Sequence, residues 1–101
     1  MQPLITTYKN QIIDLCKSHN VKNLYIFGSA CTEKFTENSD IDFLVSFNEM
    51  EFGSYADTYF DLADQFETLL HRKVDLVTEK SLSNPYFIAS VNQTKTLIYR
   101  Q

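Results

Sequence analysis

Tryptophan is absent from this sequence, and glycine, proline and cysteine occur only twice each. So little glycine and proline leaves almost nothing from which to build flexible linkers or a low-complexity tail. Cys16 and Cys31 stand alone, without a CxxC spacing or a neighbouring histidine, so neither a zinc site nor a disulfide framework is supported. Both are read as reduced, with Cys16 buried on a helix face. Positive charge is also short: nine Lys and Arg face 13 Asp and Glu, a net charge of −4. A domain that holds nucleic acid through its own surface needs clustered cations, so direct nucleic-acid binding is not expected. No run of about 18 apolar residues is present, which excludes a membrane helix. The start, Met1-Gln2-Pro3-Leu4-Ile5-Thr6, carries no basic segment followed by an apolar core, so no secretory signal is expected and a cytoplasmic location is.

What the chain does have is apolar residues, 44% of its 101 positions, and 14% aromatics. That suffices for one compact core, and the length predicts a single domain over 1–101. Ile5, Tyr8, Ile12, Leu15 and Cys16 recur at helical steps and predict an amphipathic helix over 4–19. Leu24-Tyr25-Ile26-Phe27 is a short β-prone run stopped by Gly28, and residues 29–34 have room for one or two helical turns before a polar loop at 36–39. Strict alternation over 40–47 places Ile41, Phe43, Val45 and Phe47 on one strand face and Asp40, Asp42, Leu44 and Ser46 on the other. Tyr55, Tyr59, Leu62, Phe66 and Leu69 predict a second amphipathic helix over 54–71. A short strand at 73–78, a helix entered through Ser83-Asn84-Pro85 and a last strand at 96–99 complete the order. The expected class is α/β (α+β), with helices packed on a sheet of three to four strands. The link between the first two strands is too short for a full crossover, so the sheet should be mixed.

The chemistry lies between the first two strands. Asp40 and Asp42 are two residues apart on a predicted strand, so both carboxylates leave one face and reach a common metal. With no basic partner nearby in sequence they repel each other, and a hard divalent cation is the usual remedy; Mg2+ fits, because it takes oxygen ligands and is completed by substrate phosphates. Alone, a DxD is more often a solvated strand end. Gly28-Ser29 adds a second element: it follows a buried strand and opens a helical turn, offering backbone N–H groups and a hydroxyl to an anion. A phosphate holder beside a metal holder is what metal-assisted phosphoryl transfer requires.

Gly28-Ser29, ten residues, then Asp40-Ile41-Asp42 resembles the GS-x10-DxD signature of the nucleotidyltransferase superfamily shared with DNA polymerase β and kanamycin nucleotidyltransferase. The string from Leu24 to Ser29 and from Ser39 to Val45 is similar in particular to the minimal nucleotidyltransferases, and the likeness of layout runs on to Asn84-Pro85-Tyr86 and Leu97-Ile98-Tyr99. The resemblance implies that Gly28 and Ser29 hold the nucleotide phosphates, that Asp40 and Asp42 hold Mg2+, and that a carboxylate from a later strand serves the acceptor hydroxyl. Asp75, in Val74-Asp75-Leu76-Val77, is the matching third carboxylate, as base or second metal ligand. It further implies AMP transfer from ATP onto a hydroxyl, with a tyrosine of a helical HEPN-type toxin as acceptor. Minimal members often read Gly-Ser-Arg-Ala-x-Gly here, whereas this chain has Ala30 for the Arg, Cys31 for the Ala and Glu33 for the Gly. The lost Arg removes a bidentate phosphate contact, for which Lys34 is the candidate substitute.

Two other readings stand beside this one. A binding module would mask a toxin by contact alone, and a small-molecule nucleotidyltransferase would need an acceptor domain that nothing in the chain resembles. Homo-oligomers are compatible with the sequence. His19 and His71 sit at predicted helix C-termini and read as capping or surface residues. Lys17, Lys22, Arg72 and Lys73 read as scattered solvated charges. Tyr55, Tyr59, Phe60 and Phe66 have the spacing of a packed helix face, while Phe52, Phe60 and Phe87 exceed what the core stripes need and suggest an apolar patch for a partner.

Overall fold

A computed structural model describes residues 3–32, 35–36 and 38–101. The elements are α1 (Pro3–Thr7), α2 (Lys9–Ser18), β1 (Val21–Phe27), β2 (Ile41–Phe47), α3 (Phe52–Leu70), β3 (Val74–Thr78), α4 (Pro85–Thr94) and β4 (Thr96–Arg100), with short 3-10 turns at Gly28–Cys31 and Glu79–Ser81. The single helix expected over 4–19 is two. Tyr8 leaves helical geometry at φ −101° and ψ 12°, although its N–H still bonds Leu4 O and its carbonyl accepts from Ile12.

The four strands lie in the order β3-β2-β1-β4. β1 is antiparallel to both β2 and β4, while β2 and β3 run parallel, with α3 as the crossover between them. The sheet is mixed because the connection from β1 to β2 is too short to cross over and the one from β2 to β3 is long enough.

Alternation along the strands sends Leu24, Ile26, Ile41, Phe43, Val45, Val74, Leu76 and Ile98 to one face, where Ile5, Ile12 and Cys16 from α1 and α2 and Leu62, Phe66 and Leu70 from α3 cover them. Phe43 and Phe66, both fully buried with ring centroids 4.8 Å apart, mark its centre. Burial pushes the Cys16 thiol up to about 12. The opposite face is smaller: Phe27, Leu44 and Val91, with Tyr25, Val77 and Leu82 at its margin, lie under α4.

Two outward-facing backbone groups of β3 are capped from α3, which blunts an otherwise open edge. Val74 N–H donates to Glu67 Oε2 at 2.9 Å, and the Tyr59 hydroxyl donates to Leu76 O. His19 and His71 are indeed the C-caps of α2 and α3, the latter in left-handed backbone at φ 55°. His19 does more than cap: Nε2 lies 2.6 Å from Asp61 Oδ2, tying α2 to α3. Among the described residues, no helix is long and apolar enough to cross a membrane.

Candidate active site

The site forms where β1 and β2 end and begin side by side. Phe27, the last residue of β1, is the register partner of Asp42, and Asp42 is in turn the partner of Asp75 on β3. Partners across adjacent strands point to the same face, so Phe27, Asp42 and Asp75 form one row across three strands. That face is the one α4 only partly covers.

Asp42 is half-buried, and its carboxyl is pushed up to about 6, first by burial and then by the negative charges of Asp75 and Asp40. Asp75 is exposed on the edge strand. Asp40 differs from expectation in one respect: β2 begins at Ile41, and Asp40 lies just ahead of the strand, exposed. The ladder cannot include it, because β1 stops at Phe27 opposite Asp42 and the first bond to the β3 side is Ile41 N–H to Lys73 O, 3.0 Å. Its negative charge is the smallest of the three influences that raise the Asp42 carboxyl.

Gly28 is constrained twice. Its φ is +75°, a region costly to residues with a Cβ, and a Cβ placed there would lie 2.6 Å from Asp42 Oδ2. The carboxylate therefore occupies the space directly over the glycine. The expectation that Gly28 offers a free N–H to an anion is corrected: it donates to Thr94 Oγ1 at 2.9 Å, because the C-terminal end of α4 abuts the turn. The donors left at the start of the 3-10 turn are those of Ser29 and Ala30, since the first N–H groups of a helical turn have no partner within it. Ala30 is buried and points into the core, so this position supplies no cation to the site. Glu33 and Lys34 lie outside the described residues, and with them the suggestion that Lys34 replaces the absent Arg.

Two residues that residue order does not mark out for the site help to hold this arrangement. Thr94 clamps Gly28 from 66 positions away. Arg72, read as a solvated charge, instead donates from Nη1 to Thr36 O (3.2 Å) and Ser39 O (3.0 Å) and lies 4.7 Å over the Phe35 ring. It thus pins the segment leading into Asp40. Both contacts depend on backbone carbonyl or N–H positions that only the fold defines.

The donor set suits a hard divalent cation. Among the described residues no Lys or Arg pairs with Asp40, Asp42 or Asp75, so no described cation offsets the carboxylates' mutual repulsion. Nor do any three His, Cys, Asp or Glu among the described residues close into a ready-made cage. An open set of carboxylates is what Mg2+ uses when waters and substrate phosphates complete its shell.

With this geometry in view, comparison with known proteins is informative. Residues 10–101 match the family model described as polymerase beta, nucleotidyltransferase. The chain belongs to the polymerase beta nucleotidyltransferase family. A Methanocaldococcus jannaschii protein provisionally named a protein adenylyltransferase is 41% identical over 81 residues, covering 80% of this chain and 78% of the relative. The protein adenylyltransferase MntA of Thermococcus cleftensis is 30% identical over 84 residues, 83% and 79% of the two chains. Among solved structures, a toxin–antitoxin crystal structure with AMP-PNP superposes with a TM-score of 0.72 at 25% identity, covering 92% of this chain and 73% of that one.

Proposed function

We propose that this protein is a Mg2+-dependent adenylyltransferase that moves AMP from ATP onto a hydroxyl of a partner protein, the partner being a helical HEPN-type toxin and the acceptor a tyrosine. The observation that carries this reading is the row of Asp42 and Asp75 beside Gly28, with Asp40 close enough to perturb Asp42. The adenylyltransferase names of the relatives support the choice of reaction, and the AMP-PNP-bound toxin–antitoxin neighbour supports an adenine nucleotide and a toxin as partner. On this reading the pair works in the cytoplasm.

Asp40 and Asp42 would hold Mg2+, which would supply charge neutralisation for the transferring phosphoryl group. Ser29 and the opening N–H groups of the turn orient the phosphate tail, while Gly28 keeps the Asp42 carboxylate free of a side-chain clash. Asp75, exposed on the edge strand, accepts the proton of the attacking hydroxyl or joins the metal ligands. The hydroxyl oxygen forms a bond to the α-phosphorus as the bond to the pyrophosphate oxygen breaks, and pyrophosphate leaves with its electron pair.

The departures at Ala30 and Glu33 keep a second reading in play, an antitoxin that acts by contact alone. Incubation with ATP labelled at the α-phosphate, Mg2+ and a HEPN-type toxin, if its adjacent gene encodes one, separates the two. Label on the partner with wild type and none with Asp42→Ala is expected. An Asp42→Ala protein that neutralises the toxin as well as wild type would establish the contact mechanism instead.

A further inference from the structure

One exposed aromatic ring sits against the carboxylate row without being required by either core. Phe87, in the first turn of α4, packs edge-on to Phe27 with ring centroids 6.0 Å apart and an interplanar angle of 77°. It remains 42% exposed. Phe27 is the row partner of Asp42, so Phe87 is one side chain removed from the proposed metal ligands, on the same face of the sheet. It does not belong with the other two surplus aromatics. Phe52 and Phe60 line a groove of α3 and β3 with Tyr55 and Tyr59, so the three form two separate features rather than one patch.

The backbone beneath Phe87 is held firmly. Asn84 Oδ1 accepts from both Tyr86 N–H (2.9 Å) and Phe87 N–H (3.3 Å), and Pro85 occupies the first helical position. At the far end of the same helix, Thr94 bonds Gly28 N–H. α4 therefore links the proposed phosphate turn at one end to an exposed, preset ring at the other.

We propose that Phe87 is the nucleobase subsite: its open face stacks the base of the nucleotide whose phosphates lie at Gly28, Ser29 and the carboxylates. This inference rests on the nucleotidyltransferase reading of the site. The ring packs on Phe27, the register partner of Asp42, so base and phosphate subsites would adjoin on one face of the sheet. Stacking on a phenyl face is tolerant of base identity, because every base presents a π-face. The subsite therefore supplies affinity and orientation, with little discrimination between ATP and GTP.

Equilibrium binding of Mg2+·ATP, compared with Mg2+·tripolyphosphate, which has phosphates but no base, tests this without the partner protein. Phe87→Leu preserves apolar contact with Phe27 and removes the π-face. It is expected to weaken ATP binding about tenfold, leave tripolyphosphate binding unchanged and leave the melting temperature within a few degrees. Phe87→Trp is expected to restore or tighten ATP binding. Unchanged ATP affinity in Phe87→Leu overturns the proposal, as does an equal loss for ATP and tripolyphosphate, which assigns Phe87 a purely structural role. Wild-type protein that binds neither ligand overturns the nucleotidyltransferase reading itself. A defect confined to label transfer, with ATP binding intact, assigns the ring to the acceptor's phenol and also overturns the proposal.

Discussion

Gly28→Ala separates what the fold needs at this position from what the site needs. The new methyl would have to adopt φ +75°, at a cost of roughly 1–2 kcal/mol for a residue with a Cβ. It would also stand 2.6 Å from Asp42 Oδ2 and 3.5 Å from Asp42 Cγ. The carboxylate is the end of a side chain and can turn aside, so the clash adds little to the folding cost but displaces the oxygen from its place. With a urea m-value of about 1–2 kcal/mol/M for a chain of this size, the midpoint should fall by roughly 1 M. Activity should fall much further, by about a hundredfold, because a displacement near 1 Å at a reacting centre has effects of that order. Far-UV circular dichroism follows the unfolding, since the chain has no tryptophan to report by fluorescence. Transfer of α-labelled AMP follows the chemistry. Gly53→Ala is the control: a Cβ there meets nothing within 4 Å on a helix, so it should be neutral or stabilising by up to about 1 kcal/mol. A Gly28→Ala protein with wild-type transfer and a midpoint unchanged from wild type would refute the reasoning.

Three further outcomes follow from the same structure. In metal-free buffer, Asp42 binds its proton more tightly folded than unfolded, so it adds stability as pH falls through about 6, an addition complete below about 3.8 and lost again as pH rises. Asp42→Asn should erase that segment of the melting-temperature profile and raise the melting temperature at neutral pH in EDTA; identical profiles for the two proteins would contradict the burial and repulsion described. Phe66→Ala empties the centre of the larger core and should cost about 3–5 kcal/mol by urea unfolding, with a loss below 1 kcal/mol inconsistent with its complete burial. Asp61→Asn weakens the α2–α3 tie through His19; because Asp61 is largely exposed, the loss should be only about 0.5–1 kcal/mol, and a far larger one would mean the pair is shielded from solvent.

Much of this architecture is legible in residue order because its signals are local. The period-2 alternation over 41–47, the helical stripe from Tyr55 to Leu69 and the Asn84-Pro85 helix start depend on neighbours within a few positions, and each element forms there. Strand ends are less legible. Val21 to Asn23 join β1 because β2 and β4 pair with them, which a window of apolar residues cannot show. The break at Tyr8 is hidden by an apolar stripe that continues through it. Of the proposed site, Gly28, Asp40 and Asp42 are singled out by spacing, and Asp75 by the family resemblance. That Asp42 and Asp75 share a register position, that Thr94 occupies the Gly28 N–H and that Arg72 secures the approach to Asp40 are tertiary facts. Each joins residues more than 30 positions apart.

On the proposed reading, these carboxylates direct metal-dependent AMP transfer. It is tested most directly by offering the protein and the proposed HEPN-type partner ATP labelled either at the α-phosphate or at the γ-phosphate, with Mg2+ or with EDTA. The account predicts stable label on the partner from α-labelled ATP with Mg2+ only, none from γ-labelled ATP, and none with Asp42→Asn. Label from the γ-phosphate, transfer in EDTA, or full transfer by Asp42→Asn would contradict it.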